Sequence, residues 1–440
     1  MNYIFILFTC IISFNIDAQK ILLQAGPMLG YSDFREVLIW VQTTEAADVQ
    51  IEYWTKAETK KKTDIQRTHQ DQEFIVKIFP TEVDYGTSYQ YDVYINNKKL
   101  DFSYPLEFTT QTLWQWRTDP PAINFAIGSC TYVSEEKDDR PGTPYGSEYQ
   151  IFSNILKKDP DFMVWLGDNT YLREPDFFSK RGILHRYKHT RSLKEMQALL
   201  ASVHHYALWD DHDYGPNNSN KSYVYKDDAF DAFKLYWGNP NMNVTKKGGI
   251  TGMFQWGDVQ FYLMDNRYHR SPNEQKGPNK ELLGKSQIDW LIDALTSSRA
   301  PFKFVCIGGQ TIHSQAIYEN YAVYDEERQY LFERIAEEKI EGVIFLSGDR
   351  HHSEISKMKR PEAYPLYDIT NSPLTSGTHK PKDEGNIHLV EGTLYNEKNF
   401  GMINISGPRR DRMLTYTLFS NEGKQVYVHK IKAAELRYKK

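Results

Sequence analysis

The feature that most constrains the fold is a series of short apolar runs, each ending in a cluster of polar residues. The runs lie at residues 124–130, 162–168, 206–211, 260–267, 302–310 and 342–349. Apolar runs of this length, bounded by turn residues, are typical of buried strands. Amphipathic helices are predicted between and around them, at residues 147–158, 184–202, 226–237, 286–298 and 325–339. Strands that alternate with helices predict a layered α/β domain with a substantial sheet.

The segment from about residue 21 to residue 110 has a different pattern. It contains apolar or alternating runs separated by polar turns, at residues 37–41, 49–54, 74–78 and 89–95. The last run alternates with a period of two, as a half-buried strand does. The stretch 83–89 is similar to the corner before a late strand in fibronectin type III-like domains. We therefore predict a β-sandwich of this kind over residues 19–118. Pro120 and Pro121 mark the boundary with the α/β domain, residues 119–440.

The first twenty residues differ from the rest of the chain. They are apolar from Tyr3 to Phe14 and become small and polar at Asp17, Ala18 and Gln19. This pattern predicts a secretory signal peptide, residues 1–18, and the apolar run is too short for a comfortable membrane span. A short anchor or a buried strand is the alternative. No later stretch of the sequence approaches membrane-spanning length, so the mature chain is expected to be secreted or periplasmic without a transmembrane segment.

Composition narrows the classes of function. The chain has 53 Lys and Arg against 58 Asp and Glu, a formal charge of -5. Proteins that bind nucleic acid electrostatically carry a basic excess, so nucleic acid is not expected as a binding partner. Cys130 and Cys306 remain after the signal peptide, too few for a disulfide scaffold although one disulfide fits the count. The sequence lacks the serine-hydrolase elbow, the H-E-x-x-H zinc motif and the phosphate-binding P-loop.

The polar residues that end the strand-like runs are those that bind metal ions. In open α/β sheets, ligands bind beyond the carboxyl ends of the strands, so these side chains are expected to converge. They comprise Cys130, Asp168, Asn169, Tyr171, Asp210, Asp211, His212, Asp213, Asn217, Asp349, His351 and His352. Thiolate, carboxylate, phenolate, amide and imidazole groups together suit one or two hard or borderline ions. Asp168 could bridge two such ions.

Each of these residues also has a plain structural interpretation. A lone cysteine is commonly a buried small hydrophobe, and an aspartate after a strand is commonly a helix cap. Two aspartates before a histidine fit a solvated turn, and His351 with His352 fits a surface pair. Their joint placement after consecutive predicted strands is what favours a metal site.

Four motifs in order carry a resemblance to one family: GSC, GDNTY, WDDHDYGPN and SGDRHH. They resemble those of the alkaline phosphatase D family of secreted metallophosphoesterases with an N-terminal β-sandwich. The resemblance covers nearly the whole mature chain, including residues 26–28 and 265–267. It implies that a ferric ion and calcium ions share one site, with another divalent metal as the alternative. It also implies hydrolysis of a phosphomonoester or phosphodiester by a metal-activated hydroxide.

The resemblance also implies a role for each matching residue. The iron ligands would be Cys130, Asp168, Tyr171 and His351, and the calcium ligands Asp168, Asn217 and Asp349. Asp211 would support the ligands or contact the substrate. His212, Arg267 and His352 would stabilise the phosphoryl charge or assist the leaving group. Residues 213–216 replace an acidic-valine stretch of the best-known members, so the Asn217 assignment depends on counting across a changed loop.

Two further residues and two rival functions complete the expectations. His313 is either a ligand or substrate residue or a hydrogen-bonded loop histidine, and Cys306 is expected in the core. A purple-acid-type phosphatase is the nearest rival, but its Gly-Asn-His and Gly-His-x-His elements are missing. The other rival is an inactive surface protein that binds a glycan. The natural substrate, the preference for monoester or diester and the oligomeric state stay open, as does whether residues 433–440 cover the site.

Overall fold

The computed structural model describes residues 22–56, 59–381 and 384–439. The predicted signal peptide, residues 1–18, lies outside the described residues. The strands are β1 (Leu23–Ser32), β2 (Val37–Thr43), β3 (Asp48–Trp54), β4 (Lys61–Lys62), β5 (Gln66–Arg67), β6 (Ile75–Ile78), β7 (Ser88–Ile95), β8 (Lys98–Lys99), β9 (Glu107–Thr109), β10 (Ile123–Gly128), β11 (Phe162–Leu166), β12 (His204–Leu208), β13 (Gly252–Trp256), β14 (Val259–Leu263), β15 (Lys303–Ile307), β16 (Val343–Ser347), β17 (Glu354–Met358), β18 (Leu366–Thr370), β19 (Asn399–Ser406), β20 (Met413–Ser420) and β21 (Gln425–Lys432). The helices are α1 (Ile151–Leu156), α2 (Lys180–Arg191), α3 (Gln197–Ser202), α4 (Asp211–Tyr214), α5 (Lys226–Tyr236), α6 (Lys285–Ser297) and α7 (Asp325–Glu337).

Two large sheets form the α/β part of the molecule. The first has the strand order β21-β20-β19-β10-β11-β12-β1-β2-β6, and the second has the order β13-β14-β15-β16-β18-β17. In the first sheet β10, β11 and β12 are parallel. In the second, β14, β15, β16 and β18 are parallel. The sheets pack through aromatic rings of their facing strands, with the centroids of Phe125 and Phe261 5.1 Å apart.

Helices cover the outer faces of both sheets. On the first sheet, α1 contacts β19 and α3 contacts β1. On the second, Trp290 of α6 packs 6.2 Å from Tyr262 of β14, and Phe332 of α7 packs 6.2 Å from Phe345 of β16, measured between ring centroids. This arrangement confirms the predicted α/β fold. Within the described residues, no helix combines the length and apolarity needed to cross a membrane.

The N-terminal strands form a β-sandwich that shares a sheet with the α/β part. A small sheet of order β4-β3-β7-β8 packs on β1, β2 and β6, with β5 and β9 paired to β3 and β7. Buried residues from both layers, such as Ile39, Val49 and Phe108, fill the space between them. However, β1 also pairs in parallel with β12, where Leu29 is opposite His204. The hydrogen bonds of the first sheet therefore cross the predicted domain boundary at residue 118. The division into two domains stays a prediction.

Candidate metal centre

The carboxyl ends of the parallel strands in both sheets meet at one edge of the molecule. Loops that leave β10, β11 and β16 come into close contact there. A Cβ at Gly348 would lie 2.6 Å from the carbonyl oxygen of Leu166 and 2.6 Å from the Cβ of Ser129. Only glycine fits this approach. The close contact explains why side chains from three strand ends reach a common space, as the sequence predicts.

Four residues of the site have the left-handed backbone conformation that non-glycine residues rarely adopt. Their φ angles are +59° at Cys130, +51° at Asp168, +67° at Asp349 and +54° at His351. Each such residue costs about 1–3 kcal/mol, and such strain clusters at functional sites. Hydrogen bonds between the loops stabilise this backbone conformation. For example, the N–H of Thr131 donates to the carbonyl oxygen of Asp168 at 2.7 Å.

Cys130, Asp168, Tyr171 and His351 form the first group of candidate ligands. The ligand atoms of Cys130, Asp168 and His351 all lie within 4.8 Å of one another. The Sγ of Cys130 is 3.7 Å from Oδ2 of Asp168, and the Tyr171 hydroxyl donates to the same oxygen at 3.1 Å. That hydroxyl is also 3.3 Å from Nε2 of His351. The structure thus brings together all four residues expected to hold iron.

A second group shares Asp168 with the first. The ligand atoms of Asp168, Asp211 and His212 lie within 4.8 Å of one another, as do those of Asp210, Asp211 and Glu319. The backbone N–H of His212 donates to Oδ1 of Asp168 at 3.2 Å, and its ring stacks on Tyr171 with a centroid distance of 4.3 Å. Asp168 therefore belongs to both groups of candidate ligands.

Burial and mutual repulsion oppose the charged forms of these groups. The pKa of Asp168 is raised by burial and by the negative charges of Asp211 and Cys130. The pKa of Asp349 is raised by burial and by Asp210 and Glu319, and the pKa values of Tyr171 and Cys130 are raised mainly by burial. A cation among these donors would stabilise their deprotonated forms.

Several buried polar atoms at the site lack a hydrogen-bond partner among the described residues. They include Oδ2 of Asp210, Nδ1 of His212 and Oδ1 of Asn169. Buried polar atoms are nearly always paired, so unpaired ones in a functional site call for an ion, a ligand or water. Together with the thiol, phenol, carboxylate and imidazole donors, they show that the residues present fit a metal centre.

Residues that the sequence analysis missed support the predicted ligands. The Ser372 hydroxyl donates to Sγ of Cys130 at 3.1 Å and accepts the backbone N–H of His351 at 3.0 Å. The Tyr145 hydroxyl is 3.1 Å from Nδ1 of His351, the ring nitrogen that faces away from Tyr171. Hydrogen bonds of this kind orient metal-binding histidines. Neither residue follows a predicted strand, so no sequence signal marked them.

Arg267, predicted to hold a phosphate oxygen, is buried in an ion-pair network. Its Nε donates to Oδ1 of Asp210 at 2.5 Å, and its Nη1 donates to Oε2 of Glu319 at 3.1 Å. A second Glu319 oxygen accepts from Nη2. The guanidinium donors are therefore directed to carboxylates of the protein. Its contact with a phosphate stays a prediction.

Asn217, His352 and His313 lie outside the first group of ligands. Asn217 is exposed in the loop after α4. His352 is fully buried, with Nε2 3.5 Å from Oε2 of Glu354. His313 accepts the backbone N–H of Gln315 at 3.1 Å and has Nε2 3.9 Å from Oε2 of Glu384. His313 is thus hydrogen-bonded within its own loop. Cys306 lies in the core, and both described cysteines are free.

A cavity of about 560 Å³ opens beside the site. It is lined by Ile317, Tyr318, His379, Lys380 and Glu384. The backbone N–H of His379 donates to the carbonyl oxygen of His351 at 2.8 Å, which connects the cavity wall to the ligand loop. The guanidinium of Arg350 lies 4.6 Å from the ring centre of Tyr318. The cavity therefore lies next to the loop that carries His351.

Comparison with known proteins identifies the family. A sequence profile described as PhoD-like phosphatase matches residues 125–407, which contain every ligand candidate above. The chain belongs to the PhoD-like phosphatase family. In this PhoD-like chain, residues 20–112 match a second profile, a domain of unknown function (DUF7800). The predicted resemblance to alkaline phosphatase D is thereby confirmed.

Individual relatives agree with the family and the fold. Alkaline phosphatase D of Bacillus subtilis (strain 168) is 23% identical over 299 residues, covering 57% of this chain and 49% of that protein. The match therefore spans about half the length of this curated relative. A solved structure of PhoD has a TM-score of 0.74 at 16% identity, covering 93% of this chain and 92% of that chain. Purple acid phosphatase PPD1 from yellow lupin (Lupinus luteus) seeds has a TM-score of 0.68 at 12% identity, covering 92% and 74%. Both structures share the fold of this chain.

Proposed function

We propose that the protein is a metal-dependent phosphoric ester hydrolase of the alkaline phosphatase D type. The observation that supports this most directly is the convergence of Cys130, Asp168, Tyr171 and His351 from three strand ends. A thiol, a carboxyl, a phenol and an imidazole that are buried together have little structural use, because each pays for desolvation. They do have a use around a metal ion, and the family to which the chain belongs is named for phosphatase activity.

We further propose a ferric ion at the first group and calcium at the second, with another divalent metal as the alternative. Thiolate and phenolate donors favour an electron-poor trivalent ion and bind only when deprotonated. The carboxylate oxygens of the second group suit a hard cation such as calcium. When bound, such ions activate water as a nucleophile and polarise the phosphate ester.

The second cation site is proposed to consist of Asp168, Asp211 and Asp349. Asp211 shares a ligand group with Asp168. Asp349 lies two residues before the candidate ligand His351 in the loop after β16, and both have the left-handed backbone conformation. These facts support the choice of the three carboxylates. Asn217, exposed in its loop, would join them only as a ligand from the solvent side.

His212 is the residue proposed to contact the phosphoryl group. Its ring stacks on Tyr171, and its Nδ1 has no partner among the described residues. Burial lowers the pKa of His212, which keeps the ring neutral near neutral pH. A neutral imidazole can donate one hydrogen bond to a phosphate oxygen or transfer a proton to the leaving group. Arg267, which is held by Asp210 and Glu319, and His352, which is buried beside Glu354, are proposed to support the ligand residues.

The test compares substitutions at the two ends of β11. Asp168→Asn removes the bridging carboxylate, whereas Asp161→Asn changes a carboxylate at the opposite end that accepts the backbone N–H of Asn124 at 2.7 Å. Hydrolysis of 4-nitrophenyl phosphate and bis(4-nitrophenyl) phosphate is measured with the metal content. We expect Asp168→Asn to lose at least about 10²-fold in rate, because metal catalysis contributes several kcal/mol. Asp161→Asn should keep activity within about twofold. A folded Asp168→Asn protein with wild-type rates would refute the two-metal proposal.

A further inference from the structure

A groove lies at the opposite end of the sheets from the metal centre. It is a cavity of about 640 Å³ whose wall includes Gln260 and Lys303, near the starts of β14 and β15, and Gly342 before β16. These strands are parallel, and the loop after the far end of β16 carries the candidate ligands Asp349 and His351. Five residues at about 3.3 Å each separate the groove from the metal centre by roughly 17 Å. The groove is thus distinct from the site described above.

Trp116 is one of the residues that line this groove, and both its side-chain exposure and its backbone angle are unusual. Its side chain is 90% exposed, and its φ angle is +65°. Both features cost free energy, since a large ring stays in water and the backbone is left-handed. A turn holds the residue in place, because the N–H groups of Arg117 and Thr118 both donate to the carbonyl oxygen of Trp114 at 3.0 Å. Such a held, exposed ring is typical of a binding platform.

The groove continues past this turn. A second cavity of about 430 Å³ shares Trp114, Gln115 and Gln255 with the first. The guanidinium of Arg409 lies 5.2 Å from the ring centre of Trp114, which forms the floor where the cavities meet. The exposed side chains of Gln115 and Gln255 flank this floor, and the Gln255 amide also donates to the carbonyl oxygen of Gly257 and accepts from Gln260. A continuous groove with an aromatic floor and amide edges fits an extended, hydroxyl-rich ligand better than a compact one.

The charges at the groove favour an anionic ligand. Arg299, Arg409 and Arg437 line it and are exposed. Of the two acidic lining residues, Asp258 is paired with Arg412 at 2.8 Å, and Glu341 accepts the backbone N–H of Tyr438 at 3.0 Å. In the described part of the chain, no ion pair holds Arg299 or Arg437 to a carboxylate within 4.0 Å. These two cations are therefore available to a ligand.

We propose that this groove binds an acidic polysaccharide. The C–H face of a pyranose ring would pack on Trp116, ring hydroxyls would bond to the glutamine amides, and a carboxylate or sulfate of the sugar would pair with Arg299 and Arg437. Single-stranded nucleic acid binds by stacking successive bases on aromatic side chains, whereas Trp116 is the one exposed aromatic ring among the residues that line the first cavity. The proposal concerns a site apart from the metal centre and does not depend on the proposed hydrolysis.

The test is a binding titration of the full-length protein with four defined polymers. Polygalacturonate carries carboxylates, heparin carries sulfates, dextran is neutral, and oligothymidylate represents nucleic acid. We expect one or both acidic polysaccharides to bind and dextran to bind at least tenfold more weakly. Trp116→Ala should raise the Kd for the acidic polysaccharide about tenfold, since an aromatic stacking contact is worth roughly 1–3 kcal/mol. The control is Phe178→Ala, which removes another exposed ring, 66% accessible and outside the groove.

The arginines are tested with the double substitution Arg299→Gln and Arg437→Gln. It should weaken binding of the acidic polysaccharide and reduce its salt dependence, while hydrolysis of 4-nitrophenyl phosphate by this protein and by Trp116→Ala stays unchanged. Failure of both acidic polysaccharides to bind would overturn the proposal, as would equal affinity of wild type and Trp116→Ala. Preferential binding of oligothymidylate would replace it with a nucleic-acid site, and equal binding of dextran would remove the charge requirement.

Discussion

Tyr171 illustrates how one residue separates a chemical role from a packing role. Its ring is buried between those of Tyr132 and His212, as an ordinary core tyrosine would be. Its hydroxyl, however, faces Asp168 and His351. Burial and the negative charge of Asp168 raise the pKa of Tyr171, so the phenolate forms only when a cation compensates. Ligation to iron therefore has an electronic signature that packing lacks.

We predict that the purified protein is coloured by a phenolate-to-iron charge-transfer band. Tyr171→Phe should abolish the band, and Cys130→Ser should shift it, because each changes a donor to the iron. Tyr132→Phe is the matched control, since this neighbouring tyrosine bonds to Asp139 at 2.6 Å and not to the ligand group. Visible absorption and metal analysis give the readout. A colourless, active protein that holds only zinc would contradict the iron assignment, and an unchanged band in Tyr171→Phe would assign the colour to another ligand.

A second prediction at this scale distinguishes Asp211 from Asn217. Asp211 is buried, and its Oδ2 accepts the backbone N–H of Asn218 at 2.7 Å, whereas Asn217 is exposed. We expect Asp211→Asn to lower bound calcium and the rate together, by about 10-fold or more, as loss of a charged ligand does. Asn217→Ala should change both by less than about threefold. The reverse order would restore Asn217 as the ligand implied by the family resemblance.

The residues found from the sequence and those missed differ in one respect. Cys130, Asp168 and His351 follow apolar strands directly, so a one-dimensional pattern marks them. Glu319 lies in a loop well after β15, where it pairs with Arg267 and has a carboxylate oxygen within 4.8 Å of ligand atoms of Asp210 and Asp211. Ser372 follows β18, whose parallel pairing with β16 no periodicity reveals. Contacts between loops depend on sheet order, which the local pattern does not contain.

Lys303 is a buried lysine at the start of a strand, and its burial makes the stability of the protein depend on pH. It begins β15 and is only 5% exposed, and its ammonium donates to the carbonyl oxygen of Glu341 at 2.6 Å. Burial lowers the pKa of Lys303 to about 8. The unfolded chain keeps this proton up to a pKa of about 10.4. Between these values the unfolded state binds more protons, so the free energy of unfolding rises with pH through this window.

We predict that Lys303→Met stabilises the protein at pH 7 by about 1–2 kcal/mol, after offsetting the lost hydrogen bond. The difference from wild type should shrink toward pH 10, because the wild-type lysine then loses its proton in the folded state. Urea unfolding at both pH values measures it. Lys98→Met, at an exposed position of β8, is the control and should show no such pH dependence. A gain that is equal at both pH values would contradict the burial argument.

One predicted helix is interrupted in the structure, for an identifiable reason. The predicted helix over residues 184–202 is divided into α2 and α3, and Leu193 between them has a non-helical ψ of 121°. The Gln197 amide donates to the carbonyl oxygens of Arg191 and Leu193 at 2.8 Å, and so satisfies groups that a continuous helix would bond internally. The apolar spacing continues across this break, so periodicity alone does not reveal it.

At the scale of the whole molecule, one sheet joins the N-terminal strands to the α/β part, which the sequence pattern predicts as two domains. The change of pattern near residue 118 predicts two domains. In the structure β1, β2 and β6 extend the sheet of β10, β11 and β12, and the Trp40 indole donates to the carbonyl oxygen of Leu235 on α5 at 3.0 Å. Trp40 also belongs to the main core of the α/β part. The pattern of apolar and polar residues indicates local structure, but it does not indicate which sheet a strand joins.

This continuity predicts how the molecule unfolds. Without residues 22–118, β12 would become an exposed sheet edge. Buried groups such as His204, whose Nδ1 lies 2.9 Å from the carbonyl oxygen of Gly30 and whose Nε2 lies 3.1 Å from that of Thr109, would lose their partners. Exposed edges and unpaired buried groups both favour aggregation or unfolding. We therefore expect a single cooperative transition by calorimetry for the chain from residue 19, and no soluble, metal-binding protein from residues 119–440 alone. Two separate transitions, or a folded 119–440 fragment that binds metal, would instead establish the division at residue 118 as a true domain boundary.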